Sequence, residues 1–290
     1  MLNPVARIRR FNRAVTAEVG ALDTSFLGRG RPLGSARVLN AIGKGRSDVA
    51  DIREYLGLDS GLMSRLLRGL EEEGLITTEP HPGDARRRVA ILTDAGQREY
   101  EAYESLSNDR ALDLLARHPR SEELLRAMDL VASALGRDRL TVEEVDPRSE
   151  TALHCLGEYY AELGRRFDKG FDVTLSCDPD AEDMMRPRGA FLIAMSDGVP
   201  IGCVGLKGTD YGWAEIKRLW ICPSARGLGL SKRLMIAVED VARDLSIKTL
   251  RLDTNSALPE ALQLYRKSGW VEIDRFNDDP YPDHFFEKHL

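Results

Sequence analysis

The sequence predicts two domains, a mainly α-helical one over 1–137 and an α/β one over 138–290 whose sheet is mixed and largely antiparallel. Three observations carry this. A chain of 290 residues exceeds one small domain and accommodates two of ordinary size. Between 47 and 92, two short helical patterns around a Gly turn run directly into a strand–turn–strand. Between 190 and 231, a three-strand meander runs into a Gly-rich bend and the start of an apolar helix. Hydrophobic content of 42% with 30% charged residues lets each half bury a core and excludes fibrous and wholly disordered classes.

Charge is uneven. Residues 1–137 hold 21 Lys/Arg against 20 Asp/Glu, and residues 138–290 hold 20 against 27, which together give the net charge of −6. Only the first half suits a polyanion, and only through a local cluster. Cys155, Cys177, Cys203 and Cys222 show no metal-ligand spacing and read as free thiols of a reducing compartment. No apolar run approaches a membrane span, and the first residues lack a signal-peptide core, so the expected setting is cytoplasmic with no membrane partner.

In the first half, Pro4 to Leu22 reads as a helix with Val5, Ile8, Phe11, Val15, Val19 and Leu22 near one face. Leu33 to Gly43 is a short helix. Asp48 to Leu56 is another, with Ser47 as its cap, ending at Gly57. Asp59 or Ser60 then caps a helix whose inward side is Leu62, Leu66, Leu67 and Leu70, leaving Ser60, Ser64, Arg65 and Arg68 at the surface. Two short helices around a Gly turn have helix-turn-helix geometry. A hairpin follows, with 81–88 (HPGDARRR) as its polar turn: a wing that presents Arg86, Arg87 and Arg88 to phosphates or a minor groove. Long helices over 97–115 and 121–135 complete the half, the second with Leu124, Leu125, Met128, Val131 and Leu135 on one stripe.

From Arg37 to Gly96 this resembles the winged-helix module of the MarR family of regulators. The resemblance rests on Asp84, Arg86 and the Leu92-Thr93-Asp94-Ala95-Gly96 run. It implies that Asp84 and Arg86 shape the wing, that Ser60, Ser64, Arg65 and Arg68 face the major groove of double-stranded DNA, and that the first and last helices of the domain form a homodimer. The apolar stripe also suits packing within the monomer or against the second domain.

In the second half, 139–145 reads as a strand and 147–167 as a helix with Leu153, Leu156, Tyr160 and Leu163 on its apolar side. Strands over 190–195, 199–206 and 213–221 form the meander, with Asp197-Gly198 as the first hairpin turn. In the third strand, Glu215, Lys217 and Leu219 share one face and Ile216, Arg218 and Trp220 the other, unless a bulge in 219–222 changes face. Arg226-Gly227-Leu228-Gly229-Leu230-Ser231 then places glycines where a helix starts, so its free N–H groups suit a pyrophosphate. The pattern is neither the dinucleotide GxGxxG nor a Walker loop.

Strand, Gly-rich turn, helix and strand together resemble the GNAT acyl-CoA transferases. Arg226, Gly229 and Ser231 stand in their Arg/Gln-x-x-Gly-x-Gly/Ala pattern, with Ser a small departure. Ala261 to Trp270 resembles their A-x-x-x-Y-x-x-x-G-F/W block. The resemblance implies acetyl-CoA as cosubstrate, bound along Leu219, Trp220 and Ile221 and by residues 226–231, with Lys232 and Asn255 as further contacts. It implies Glu215 as general base and Tyr265 as general acid, with a backbone N–H near 219–221 for the carbonyl oxygen. The rivals are a sheet carboxylate for Glu215, a core ring beside Trp270 for Tyr265 and a strand cap for Asn255. Tyr159, Arg166, Phe167 and Phe171 are expected to line the acceptor side. Arg166 there suits a carboxylate, which points to a small-molecule primary amine such as an amino acid. No metal set is expected, His284 and His289 included. Two function classes stay open: an N-acetyltransferase joined to a DNA-binding regulator, or a regulator whose second domain only senses acetyl-CoA or another effector.

Overall fold

The computed structural model describes residues 3–176 and 181–290, so Cys177 lies outside the described residues. The chain divides into two compact units, 1–121 and 122–290.

The first unit starts with α1 (Pro4–Glu18), opened by Pro4 and by Asn3, whose side chain accepts the Val5 N–H at 2.9 Å. No residue of α1 is buried. The helices α2 (Leu33–Gly43), α3 (Val49–Leu56) and α4 (Ser60–Glu72) surround a core of Val38, Leu39, Ile52, Met63, Leu67 and Leu70. Asp48, rather than Ser47, caps α3 by accepting the Ala50 and Asp51 N–H groups. Asp59 caps α4 by accepting the Leu62 N–H. On α4 the buried stripe is Met63, Leu67 and Leu70, and Leu62 is only half-buried.

The wing strands β1 (Ile76–His81) and β2 (Asp84–Leu92) pair antiparallel, and an isolated bridge joins Asp48 to Val89. Thr93 caps α5 (Asp94–Arg117) by accepting the Gly96 N–H, and its own hydroxyl donates to the Gly74 carbonyl. A Cβ at Gly96 would lie 1.8 Å from the Leu75 carbonyl oxygen, so only glycine lets α5 start this close to the α4–β1 turn. The helix α6 (Ser121–Gly136), with only Ser133 buried, opens the second unit, although the sequence pattern groups it with the first domain.

The second unit holds a seven-stranded sheet in the order β3-β4-β5-β6-β7-β9-β8. Its strands are β3 (Thr141–Val145), β4 (Ala190–Ser196), β5 (Val199–Gly208), β6 (Ala214–Ile221), β7 (Thr249–Thr254), β8 (Val271–Ile273) and β9 (His284–His289). All its pairings are antiparallel except β6–β7. One face packs on α8 (Leu230–Asp244) and α9 (Pro259–Lys267) through Leu234, Val238, Leu252 and Phe286. The other packs on α7 (Glu150–Arg166) through Ala152, Cys155, Leu156 and Phe191.

Two irregularities in β6 decide where the sheet opens. Parallel pairing with β7 ends at Ile216↔Leu252, although both strands continue. On the other side, Gly205 pairs Lys217 and Cys203 pairs Trp220, so Arg218 and Leu219 together oppose Val204. Arg218 has φ of 58°, the mark of a bulge that re-aims the strand. The bulge corrects the simple alternation. Ile216 joins the α8 face, whereas Trp220 joins the α7 face.

Candidate functional site

Beyond Ile216 and Leu252 the two strands separate, and two connected cavities occupy the gap. Tyr159, Leu163, Leu219, Leu258 and Ala261 line both.

The first cavity, about 420 Å³, is lined by Leu219, Trp220, Ile221, Arg226, Gly227, Gly229, Leu230 and Ser231. Gly227 and Gly229 have φ of 78° and 80°, in the left-handed region that residues with a Cβ rarely adopt. Gly229 is the N-cap of α8 and offers no side chain to its leading N–H groups, which leaves them for an anion. Leu228 and Lys232 belong to the same turn, Leu228 half-buried and Lys232 exposed, outside the cavity lining. Below the turn, Glu162 accepts the Trp220 indole N–H at 3.1 Å and pairs with Arg226. Burial pushes Glu162 up, but Arg226, Arg166 and the indole hold it below the usual carboxylate range.

Arg166 lines this cavity rather than the acceptor side. Its guanidinium pairs with Glu260 and Glu162 and donates to the Ala257 carbonyl, which corrects the expectation that it awaits a substrate carboxylate. Those partners lie across the groove on α9 and on the same face of α7. Sequence spacing showed Glu162 one turn before Arg166, but not Glu260.

The second cavity, about 100 Å³, is lined by Tyr159, Phe167, Phe171 and Tyr265, and by Lys217, Arg218, Asp253, Asp279 and Tyr281, which the sequence leaves unassigned. Tyr265 also packs edge-on against Trp270, so it is a core ring and a cavity residue at once. Burial first, then the Asp253 charge, raises Tyr265 well above an ordinary tyrosine, and Tyr159 likewise. Both phenols therefore hold their protons more tightly than an ordinary tyrosine, which is itself neutral near pH 7.

Glu215 lines neither cavity. It is buried, with one oxygen 3.5 Å from the Lys207 amine and the other 3.2 Å from the Lys217 amine. Lys217 continues the chain to Asp253 at 2.7 Å, and Asn277 donates to the same Asp253 oxygen at 2.6 Å. Burial alone would lower Lys217, but the two carboxylates raise it on balance, so it stays charged. The carboxylate that reaches the cavity from this network is Asp253. The available signal was its place at the end of β7, opposite the opening of β6. Asn255 lines the second cavity, donates to the Tyr281 carbonyl and accepts the Ala257 N–H, as a strand cap does.

In the first unit, Ser60, Ser64, Arg65 and Arg68 all lie exposed on α4. Arg65 and Arg68 make no ion pair among the described residues. Asp84 accepts the Arg86 N–H at 2.9 Å and so fixes the wing turn. The arginine run lies on β2 instead of forming the turn. Arg86 is exposed, whereas Arg87 bonds Asp48 at 2.8 Å and Arg88 bonds Thr78 and pairs with Glu71. The last two hold the wing to α3 and α4. Among the described residues no group of three or more His, Cys, Asp or Glu is placed to hold a metal ion, and no helix is long and apolar enough to cross a membrane.

Comparison with known proteins matches both halves. The acetyltransferase (GNAT) family model matches residues 158–270, and the MarR family model matches residues 29–87. The IAA acetyltransferase of Azospirillum brasilense is 34% identical over 156 residues, which span 52% of this chain and 98% of that protein. The uncharacterised N-acetyltransferase YjgM of Escherichia coli K12 is 31% identical over 143 residues, or 47% of this chain and 81% of that protein. Among solved structures, a GNAT-family acetyltransferase from Staphylococcus aureus is 20% identical with a TM-score of 0.45, covering 52% of this chain and 99% of that one.

Proposed function

The chain belongs to the GNAT acetyltransferase family and carries a MarR-family domain ahead of its transferase domain, and from that premise we propose that it acetylates a primary amine of a small molecule while also binding DNA as a regulator. Acetyl-CoA is the donor. The observation that carries the reading is the split between β6 and β7, with the glycine turn at one end and Tyr265 with Asp253 at the other.

The glycine turn and the α8 N-terminus hold the pyrophosphate, with Glu162 keeping Arg226 in place beneath them. Backbone N–H groups on the unpaired edge of β6 near 219–221 face the thioester oxygen. Asp253 takes the proton that the amine sheds as its nitrogen bonds the acetyl carbon. The carbon–sulfur bond breaks, Tyr265 gives its proton to the departing sulfur, and the proton on Asp253 restores the phenol. Glu215 acts one step back, by holding Lys217 against Asp253. A domain that only senses the donor needs the phosphate turn alone. Tyr265 and Asp253 in the adjoining cavity favour turnover.

For the other half, Ser60, Ser64, Arg65 and Arg68 are proposed to read the major groove, with Arg86 at the wing. Val5, Ile8 and Phe11 of α1 are 60%, 61% and 41% exposed, an apolar stripe suited to a second copy. We place the working boundary between the domains near 137/138.

Thiol release from acetyl-CoA on adding primary amines tests the reading. Asp253→Asn is expected to lower kcat by about 10²-fold with the acetyl-CoA KM unchanged, and Glu215→Gln to lower it less. Acetyl-CoA binding without thiol release for any amine would leave only the sensing role.

A further inference from the structure

The acceptor cavity has an unusual wall. Five rings line it in one connected series. Tyr159 meets Tyr160 at 5.5 Å between centroids, Tyr160 stacks on Phe171 at 5.7 Å, and Phe171 meets Tyr281 at 4.7 Å and Phe167 at 6.1 Å. The rings are held rather than loose. The Tyr281 hydroxyl accepts the Asp172 N–H at 2.9 Å and donates to the Asp172 carbonyl at 3.2 Å. Its backbone carbonyl is held by Asn255 and its N–H by Asp279. Because the rings lean on one another, they form a continuous wall rather than a box around a central cation.

Facing this wall are Lys217 and Asp253. The two carboxylates that line the cavity are both engaged, Asp253 by Lys217 and Asn277, and Asp279 by the Ser176 hydroxyl and the Tyr281 N–H. With the acceptor nitrogen at Asp253, a second ammonium on a polyamine would meet only Asp279, whose two oxygens are already held by Ser176 and the Tyr281 N–H. The cavity of about 100 Å³ is of the order that takes one benzene-sized group.

We infer that the acceptor is a primary amine carried on an aromatic ring or its equally flat equivalent, the ring lying along Tyr160, Phe171 and Tyr281 and the nitrogen turned to Asp253. The inference rests on the transferase reading and names its substrate class. Phe171 and Phe167 supply the ring contact and are only partly buried, so trimming them leaves the core of the unit filled.

The test compares 2-phenylethylamine with n-butylamine and 1,4-diaminobutane on the full chain, by thiol release at saturating acetyl-CoA. The arylalkyl amine is expected to show kcat/KM about tenfold or more above the other two. Phe171→Leu, or Phe167→Leu if the first variant fails to fold, is expected to narrow that ratio to about threefold or less while the acetyl-CoA KM stays put. Equal or reversed ratios with acetylation intact overturn the inference and leave the transferase reading standing. If no amine is acetylated, calorimetry of the same amines against the chain saturated with CoA decides. Preferential binding of 2-phenylethylamine that Phe171→Leu abolishes upholds the aromatic acceptor site and overturns transfer, and absence of any preference overturns the inference.

Discussion

On α4, Ser60, Ser64, Arg65 and Arg68 stand exposed along one helix face, whereas Tyr265, Asp253 and Lys217 at the acceptor cavity are nearly enclosed. The two regions share a reliance on charge and hydrogen bonding but differ in what surrounds it. In the cleft, each polar group is held by a neighbour that is itself held: Lys207, Glu215, Lys217 and Asp253 form one chain across β5, β6 and β7. Removing a member disturbs the rest, because low dielectric makes an orphaned charge costly. On α4 the side chains stand singly in water, so under the proposed reading each is expected to contribute modestly and nearly additively to binding a polyanion. The cleft is a preorganised network, and the exposed face of α4 is a set of separate side chains.

Substitutions sharpen this contrast. Outside Asp253 and Tyr265, the largest expected effect is at the glycine turn. Gly229→Val forces a branched residue into φ of 80° at the cap of α8. The acetyl-CoA KM is expected to rise by about 10- to 100-fold in steady-state kinetics, with the amine KM little changed. An unchanged acetyl-CoA KM would remove the turn from the phosphate site.

A smaller effect is expected on α4. Arg65→Ala should weaken operator binding about tenfold at fixed salt, measured by fluorescence anisotropy, without moving the melting temperature. The smallest is at the wing. Arg87→Ala should leave DNA affinity within about threefold and lower the melting temperature of the chain only slightly, because Arg87 is bound to Asp48 and largely solvated. The Arg87 hydrogen bond holds Asp48 below the usual carboxylate range, so this tie is present above that range and is lost as pH falls through the lowered value. If Arg87→Ala instead abolished DNA binding, the arginine run would be a DNA contact after all.

How much was legible in the sequence follows the same division. Helix caps and apolar periodicity are local, so the helices of both units and the hairpin of the wing could be read directly. The 226–231 turn is legible because glycines at the start of a helix mark a close backbone approach or a positive φ, whereas the tight fit of Gly96 against Leu75 is visible only in the fold. The face assignment in β6 holds to Ile216 and reverses at Arg218, just ahead of the 219–222 stretch where the sequence allows a bulge, because no residue type fixes a bulge's position. Arg166, Arg87 and Arg88 read as ligand contacts from the sequence because their partners, Glu260, Asp48 and Glu71, are distant along the chain. Asp253 is not legible for the same reason: its place in the cavity depends on β6 and β7 separating beside it.

The most direct measurement is the rate of acetyl transfer by Tyr265→Phe, which removes one hydroxyl and keeps the ring that packs on Trp270. The account predicts kcat lower by about 10²- to 10³-fold with both KM values within about threefold of the parent chain. A kcat equal to that of the parent would contradict it.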